Sequence, residues 1–147
     1  TAQYHLGNYY NWAAALATND SSVYNNNDLA EQSICPAGWT LPYANYNYDT
    51  DQSEGDFVDL WSEYGWDSNN YSFTDGISTI WSAPLYFTPA GGFGGYLGGV
   101  GYGGGFWSPV AGDGSSAHYA FFSVGGFAIP AYGSDRNYGS SVRCLLR

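Results

Sequence analysis

Between residues 91 and 105 the chain carries ten glycines, at 91, 92, 94, 95, 98, 99, 101, 103, 104 and 105. No helix survives such a run, because each glycine in a helix interior costs roughly 1 kcal/mol relative to alanine. The segment must either turn tightly as a surface loop or run as a glycine-rich β segment. Within it, Gly99-Val-Gly101-Tyr-Gly-Gly104 fits the spacing G-x-G-x-x-G. A dinucleotide fingerprint needs a strand before the glycines and a helix after them, and Phe106-Trp107-Ser108-Pro109 opens no helix. The last third as a whole, residues 91–147, is crowded with Gly, Ser, Tyr, Phe, Asn, Asp and Ala, and no Glu, Gln, Lys or Met follows Glu63. Small residues and planar aromatics offer contact area and adaptable hydrogen bonds at low entropic cost, as in antibody-like binding loops. That palette predicts a contact surface.

The remainder of the 147 residues has to supply the scaffold, and the length suits one domain, 1–147. Aromatic residues make up 20% of the chain and charged ones only 11%, which points to a core of Tyr, Phe and Trp and away from a helical bundle. Three arginines and no lysine face 13 acidic residues, for a net charge of -10. Nucleic acid held through its phosphates is excluded, since no positive patch can be assembled from three arginines near one chain end. Anionic lipid is disfavoured on the same ground, and no apolar run is long enough for a membrane span. The chain starts at Thr1 with no visible signal peptide, as expected of a mature or trimmed fragment whose anchor lies elsewhere.

Cys35 and Cys144 stand at opposite ends of the domain. They are too few for a structural zinc site and form no C-x-x-C motif. Two readings remain: a disulfide in an extracellular protein, or two buried thiols in a cytosolic one.

Read in order, residues 4–12 are Tyr-rich and predict a strand broken at Gly7, with a helical turn over 13–17 and a polar loop over 18–28. Trp39 and Leu41 form a short strand-like stretch bracketed by Pro36 and Pro42. Residues 43–52 read as irregular. There Asp49, Asp51 and Ser53 imitate the spacing of a calcium loop, but the glycine comes late, at Gly55, and no Glu closes the motif. Ser53 and Asp56 read as a capping box for a helix whose apolar face is Phe57, Leu60, Trp61 and Tyr64, with Gly65 as its stop. Residues 66–76 read as a polar loop and 77–83 as a strand. Two strands at 117–123 and 126–130, joined by a Val124-Gly125 turn, and a closing strand at 141–146 complete the prediction.

Gly7-Asn-Tyr-Tyr-Asn-Trp-Ala-Ala14, Ile34-Cys-Pro-Ala-Gly-Trp-Thr-Leu-Pro42, Phe106-Trp-Ser108 and Tyr138-Gly-Ser-Ser-Val-Arg-Cys144 follow one another along the chain. In that order they resemble the Fibrobacter succinogenes major paralogous domain, related to the formylglycine-generating-enzyme-like branch of the C-type lectin fold. The chain is also similar to the variable proteins of diversity-generating retroelements, whose lectin-fold C-terminus is hypermutated at adenines. The residue types missing after Glu63 are ones that adenine mutation of Asn codons does not reach, with Trp66, Trp81 and Trp107 as fixed scaffold.

The resemblance implies an α+β, C-type lectin-like fold with short antiparallel strands, few helices and much irregular loop. Its N- and C-terminal strands would pair, the strand through Val142 and Cys144 would lie in the core, and Arg143 would be a buried ion-pair partner. It implies a display region over about residues 91–140. The ligand-binding candidates are Asp113, Ser115, Ser116, His118, Val124, Phe127, Ile129, Tyr132, Ser134, Asp135, Asn137 and Tyr138. Alternation sends His118 and Tyr119 to opposite sides, and His118 is the one expected to be exposed. Some of Val124, Phe127 and Ile129 would face inward.

Catalysis finds little footing. His5 and His118 are the only histidines, both cysteines sit in scaffold motifs, and no Ser/His/Asp or two-His-carboxylate cluster follows from spacing. The Glu-Pro-Asn or Gln-Pro-Asp tripeptide of calcium-dependent sugar binding is missing, so no cofactor or metal is expected. The sequence therefore predicts a monomeric binding module for a protein or cell-surface ligand, located extracellularly or at the cell surface. The alternative is a fixed-sequence cell-surface or pilus-associated subunit, whose aromatic faces would serve assembly.

Overall fold

The computed structural model describes residues 7–25, 28–47, 49–82 and 84–146. In chain order the elements are α1 (Trp12–Ala15), β1 (Trp39–Thr40), β2 (Asn45–Asn47), β3 (Gln52–Glu54), α2 (Asp56–Glu63), β4 (Trp66–Asp67), β5 (Ser72–Phe73), α3 (Ser78–Trp81), β6 (Gly92–Phe93), β7 (Leu97–Gly98), β8 (Gly103–Ala111), β9 (Ser116–Ser123), β10 (Ala128–Asp135) and β11 (Leu145–Leu146). Strands are mostly short and antiparallel, in small sheets, with few helices, compatible with the α+β class.

One sheet dominates, with β9 between β8 and β10. Both outer strands lose register, between Trp107 and Ala111 and between Ile129 and Tyr132. Each irregular stretch contains a proline, Pro109 or Pro130, where a missing N–H does no harm to the ladder. Alternation along β9 sends Ala120 and Phe122 into one core and Ala117 into another, with Tyr119 packed against the second. The first core gathers Phe57 and Trp61 of α2 with Phe73, Ile80, Phe87 and Phe106. Phe87 meets Phe106 edge-on at 5.0 Å and Phe106 stacks on Phe122 at 6.2 Å. The second core packs Trp12 and Leu16 against Leu41, Trp107 and Ala111. The aromatic core foreseen from composition is there, split by the sheet into two.

Cys35 and Cys144 are bonded, with Cα atoms 5.7 Å apart across a sequence separation of 109. Beside the bond β1 pairs with β11, and Tyr10 bridges Ser140, so the two ends of the chain are joined. The closing strand is shorter than expected, and Val142 and Cys144 are half-buried rather than core. Arg143 makes no ion pair among the described residues. Its Nη1 donates to Leu85 O at 2.6 Å and its guanidinium lies 4.5 Å from the centre of the Phe87 ring.

Several local expectations are corrected. Residues 4–6 of the foreseen first strand lie outside the described residues, and residues 7–11 contribute only the Tyr10 bridge. Residues 43–52 are not irregular: β2 and β3 form a hairpin whose turn is held by Asn47 Oδ1, accepting from the Asp49 N–H at 2.9 Å. Residues 66–76 form a second hairpin, β4–β5, in which Asp67 accepts from the Asn69 N–H at 2.9 Å as an Asx turn. Residues 77–83, read as a strand, contain α3. Ile77, Ile80 and Trp81 are spaced i, i+3, i+4, and Ile77 and Ile80 are buried, so the helical period prevails.

Helix α2 has the foreseen apolar face but a different cap. Gly55, not Ser53, occupies the N-cap, and the Asp56 carboxylate accepts from the Tyr43 N–H at 2.7 Å. Gly55 has φ 115, and a Cβ there would stand 2.4 Å from the Tyr43 ring and 2.5 Å from its carbonyl oxygen. Both strain and collision oppose a side chain. Gly55→Ala is expected to cost about 2–4 kcal/mol, read as a lowered urea midpoint with an unchanged m-value.

Candidate functional site

The second core covers only one end of its face of the main sheet. On β8 that face reads Trp107, Gly105, Gly103, so beyond the buried Trp107 two consecutive inward positions have no side chain. The space they leave is a groove of about 630 Å³. Its floor is the glycine backbone of β8, one wall is Tyr119, Phe121 and Ser123 of β9, and the other is the 91–102 segment with Phe93, Tyr96 and Tyr102. Ser134, Tyr138 and Ser140 close one side.

Glycine is required here by close approach. A Cβ on Gly105 would stand 2.4 Å from the Tyr119 ring, so only a bare backbone lets that ring lie across the strand. Tyr119 is further fixed by Trp107 at 5.6 Å and Tyr132 at 6.0 Å. The β6–β7 hairpin is tied to the C-terminal segment by reciprocal backbone bonds between Phe93 and Gly139, 2.8 and 2.6 Å long. Tyr9 OH donates to Ala90 O just before it. The groove is thus held from both ends of the chain.

Its rings remain open to solvent. Tyr96 is 76% exposed, Tyr102 73% and Tyr138 48%, and Tyr132 on the adjoining sheet face is 51% exposed. No Asp, Glu, Arg, His or Cys is among the described lining residues. Burial pushes the Tyr119 phenol up to about 12, reinforced by Tyr132 and opposed by a hydrogen bond with Ser134, so it is a neutral hydroxyl in any physiological medium. Among the described residues no cluster of three or more His, Cys, Asp or Glu side chains is placed to hold a metal ion, and no helix is long and apolar enough to cross a membrane.

The twelve predicted display residues divide between several places. Ser134 and Tyr138 line the groove. Ile129 and Tyr132 lie opposite Phe121 and Tyr119 in the β10–β9 register and share that face. Asp113, Ser115 and Ser116 form the β8–β9 turn at the far end of the sheet, where the Ser116 N–H donates to Asp113 O at 2.8 Å. Asp135 and Asn137 form a further turn, with the Asn137 N–H donating to the Asp135 carboxylate at 2.9 Å. Val124 and Phe127 flank the β9–β10 turn, Phe127 beside Tyr71 at 6.2 Å. Both are exposed.

His118 is the clear correction. It is fully buried, and its Nδ1 accepts from the Tyr46 N–H at 3.4 Å. His118 and Tyr119 do face opposite sides, but at this end of β9 both sides are covered. Burial, the largest effect, holds the His118 pKa below the ordinary value, against the pull of the Ala44 backbone and Asp113. The folded state therefore disfavours the imidazolium. Stability should be whole above the ordinary histidine value of about 6.5 and fall as pH drops below it toward the depressed folded value. Urea midpoints measured from pH 7.5 to 5 are expected to show this fall, and His118→Gln to flatten it.

Sequence reading missed Phe93, Tyr96, Tyr102, Tyr119 and Phe121. The available signal was the interleaving of glycine with single aromatics over 91–105, where Gly94, Gly98 and Gly105 each face a tyrosine ring. Arg136 was also missed as a scaffold residue: it is 8% exposed, lies 4.6 Å from the centre of the Trp12 ring and donates to the carbonyls of Ser116, Ser21 and Tyr24 at 2.7, 2.7 and 3.1 Å. Comparison with protein-family models, curated proteins and solved structures finds no match.

Proposed function

We propose that this domain is a ligand-binding display module, of the C-type lectin-like type that its motifs resemble, which takes a protein or cell-surface ligand through the aromatic groove and the adjoining face of β9 and β10. The observation that carries the reading is the gathering of solvent-exposed tyrosines around one groove whose backbone is held by the main sheet and both chain ends. Rigid aromatic anchors beside small adaptable polar groups lose little entropy on binding. Among the described residues the lining is uncharged, with no carboxylate, imidazole or thiol, which favours binding over catalysis. The disulfide fits an extracellular or cell-surface location.

On this reading the exposed positions are diversified by a retroelement and the scaffold is constant. Deep sequencing of the coding DNA across the source population tests this. Substitutions are expected to concentrate at adenine-derived codons for positions such as Tyr96, Tyr102, Tyr132 and Tyr138, with Gly105, Trp107 and Cys144 constant. Uniform sequence over residues 91–140 would defeat the diversification reading and leave a surface of fixed specificity.

One observation favours a different role. Trp39 and Leu146, paired across β1 and β11, are 44% and 64% exposed, a second apolar place away from the groove. A subunit of a surface assembly would use two such patches and form larger species with rising concentration, whereas a display module elutes as a monomer throughout.

A further inference from the structure

The molecule contains two arginine sites built alike. Arg136 lies over Trp12 and Arg143 over Phe87, each with its guanidinium donating to backbone carbonyls rather than to a carboxylate. A ring face supplies the negative quadrupole, and carbonyls accept the N–H donors that the planar guanidinium presents in its plane.

The groove offers the same two halves with no arginine among its described lining residues. Tyr96, Tyr102 and Tyr138 present exposed rings, and the lining glycine carbonyls, of which Gly103, Gly105 and Gly139 each accept one backbone N–H, keep a second lone pair for a further donor. Charge points the same way. The chain carries -10, both described arginines are engaged elsewhere, and none of the described lining residues is a cation that would oppose a positive ligand. An excess of acidic residues raises the local concentration of cationic ligands and speeds their encounter. Lysine would gain the charge and the ring, but not the planar fork that both internal sites use.

We propose that the groove binds an arginine side chain presented by an extended, basic segment of a partner protein, with the guanidinium stacked on a groove tyrosine and donating to glycine carbonyls. This rests on the reading of the groove as the ligand-binding surface. A groove of about 630 Å³ accommodates such a side chain together with part of its flanking backbone.

The test uses the intact disulfide-bonded domain, ¹⁵N-labelled, titrated with two blocked peptides, acetyl-Gly-Ser-Arg-Ser-Gly-amide and the same peptide with citrulline for arginine. Citrulline keeps the planar shape and removes the charge. The arginine peptide is expected to shift amides of the 91–105 segment, Tyr119 and Tyr138, and to bind roughly tenfold more tightly than the citrulline peptide. Tyr102→Ala and Tyr138→Ala, at exposed rings, should each weaken it several-fold while leaving the spectrum folded. Equal binding of both peptides, no shifts at millimolar peptide, or shifts away from the groove would overturn the arginine assignment. A peptide library selected on the same domain separates this failure from that of the wider reading. Binders without a cation that map to the groove overturn the arginine alone, and binders that map elsewhere overturn both.

Discussion

Replacing both cysteines, as Cys35→Ala/Cys144→Ala, is expected to lower stability by about 4–5 kcal/mol, a fall in thermal midpoint of roughly 10–15 °C. The size follows from the loop: the bond closes a separation of 109 residues, most of the chain, so its removal frees the unfolded state more than a short-range bond would. The native state loses a tether as well. Cys144 follows Ser140 and Ser141, which bond to Tyr10 and Trp107, and this segment closes one side of the groove. Midpoints of the natural protein with and without reductant, and of the double variant under both conditions, check the claim. Reductant should shift the first and leave the second unmoved. An unchanged midpoint on full reduction would show that the loop is closed by other contacts.

Trp107→Ala should be almost as damaging, at about 3–5 kcal/mol. The side chain is fully buried in the second core, its Nε1 donates to Tyr10 O at 2.6 Å, and its ring lies 5.6 Å from Tyr119. Truncation leaves a cavity, takes one of two donors from the Tyr10 carbonyl, which keeps the Ser140 N–H, and removes the support of the groove wall. The loss should be visible in the denaturation midpoint and in the near-ultraviolet circular dichroism, where the Trp107–Tyr119 pair contributes. Trp107→Phe keeps most of the volume but not the donor, and is expected to recover part of the loss.

Much of the scaffold was legible because local rules and tertiary packing agree there. The β9–β10 hairpin follows the apolar runs on either side of Val124 and Gly125, and α2 follows Phe57, Leu60 and Trp61. Its cap was misread because a capping box is a local pattern, whereas the Asp56 carboxylate is taken by the N–H of Tyr43, in the stretch that leads into β2. Residues 77–83 were misread because a short apolar run supports either period, and only the packing of Ile77 and Ile80 into the first core decides it. His118 was misplaced for a different reason: alternation distinguishes two faces but does not say that both are buried. The groove was legible only in part. Composition pointed to the last third, where the groove lies, and two of the expected residues, Ser134 and Tyr138, line it, but its walls depend on which glycine faces which ring. That pairing is set by strand register, which the sequence alone does not disclose.

A display surface on an independent scaffold must tolerate change, and this can be measured without knowing the ligand. The thermal midpoint of a variant carrying Tyr96→Ser, Tyr102→Ser, Tyr132→Ser and Tyr138→Ser together tests it directly. All four side chains are about half exposed or more. Exposed substitutions each shift stability by no more than about 0.5 kcal/mol, so the midpoint should stay within a few degrees of the natural protein's. A collapse comparable to that of Trp107→Ala would show that these tyrosines hold the fold together, and would contradict the proposed role of an exchangeable binding surface.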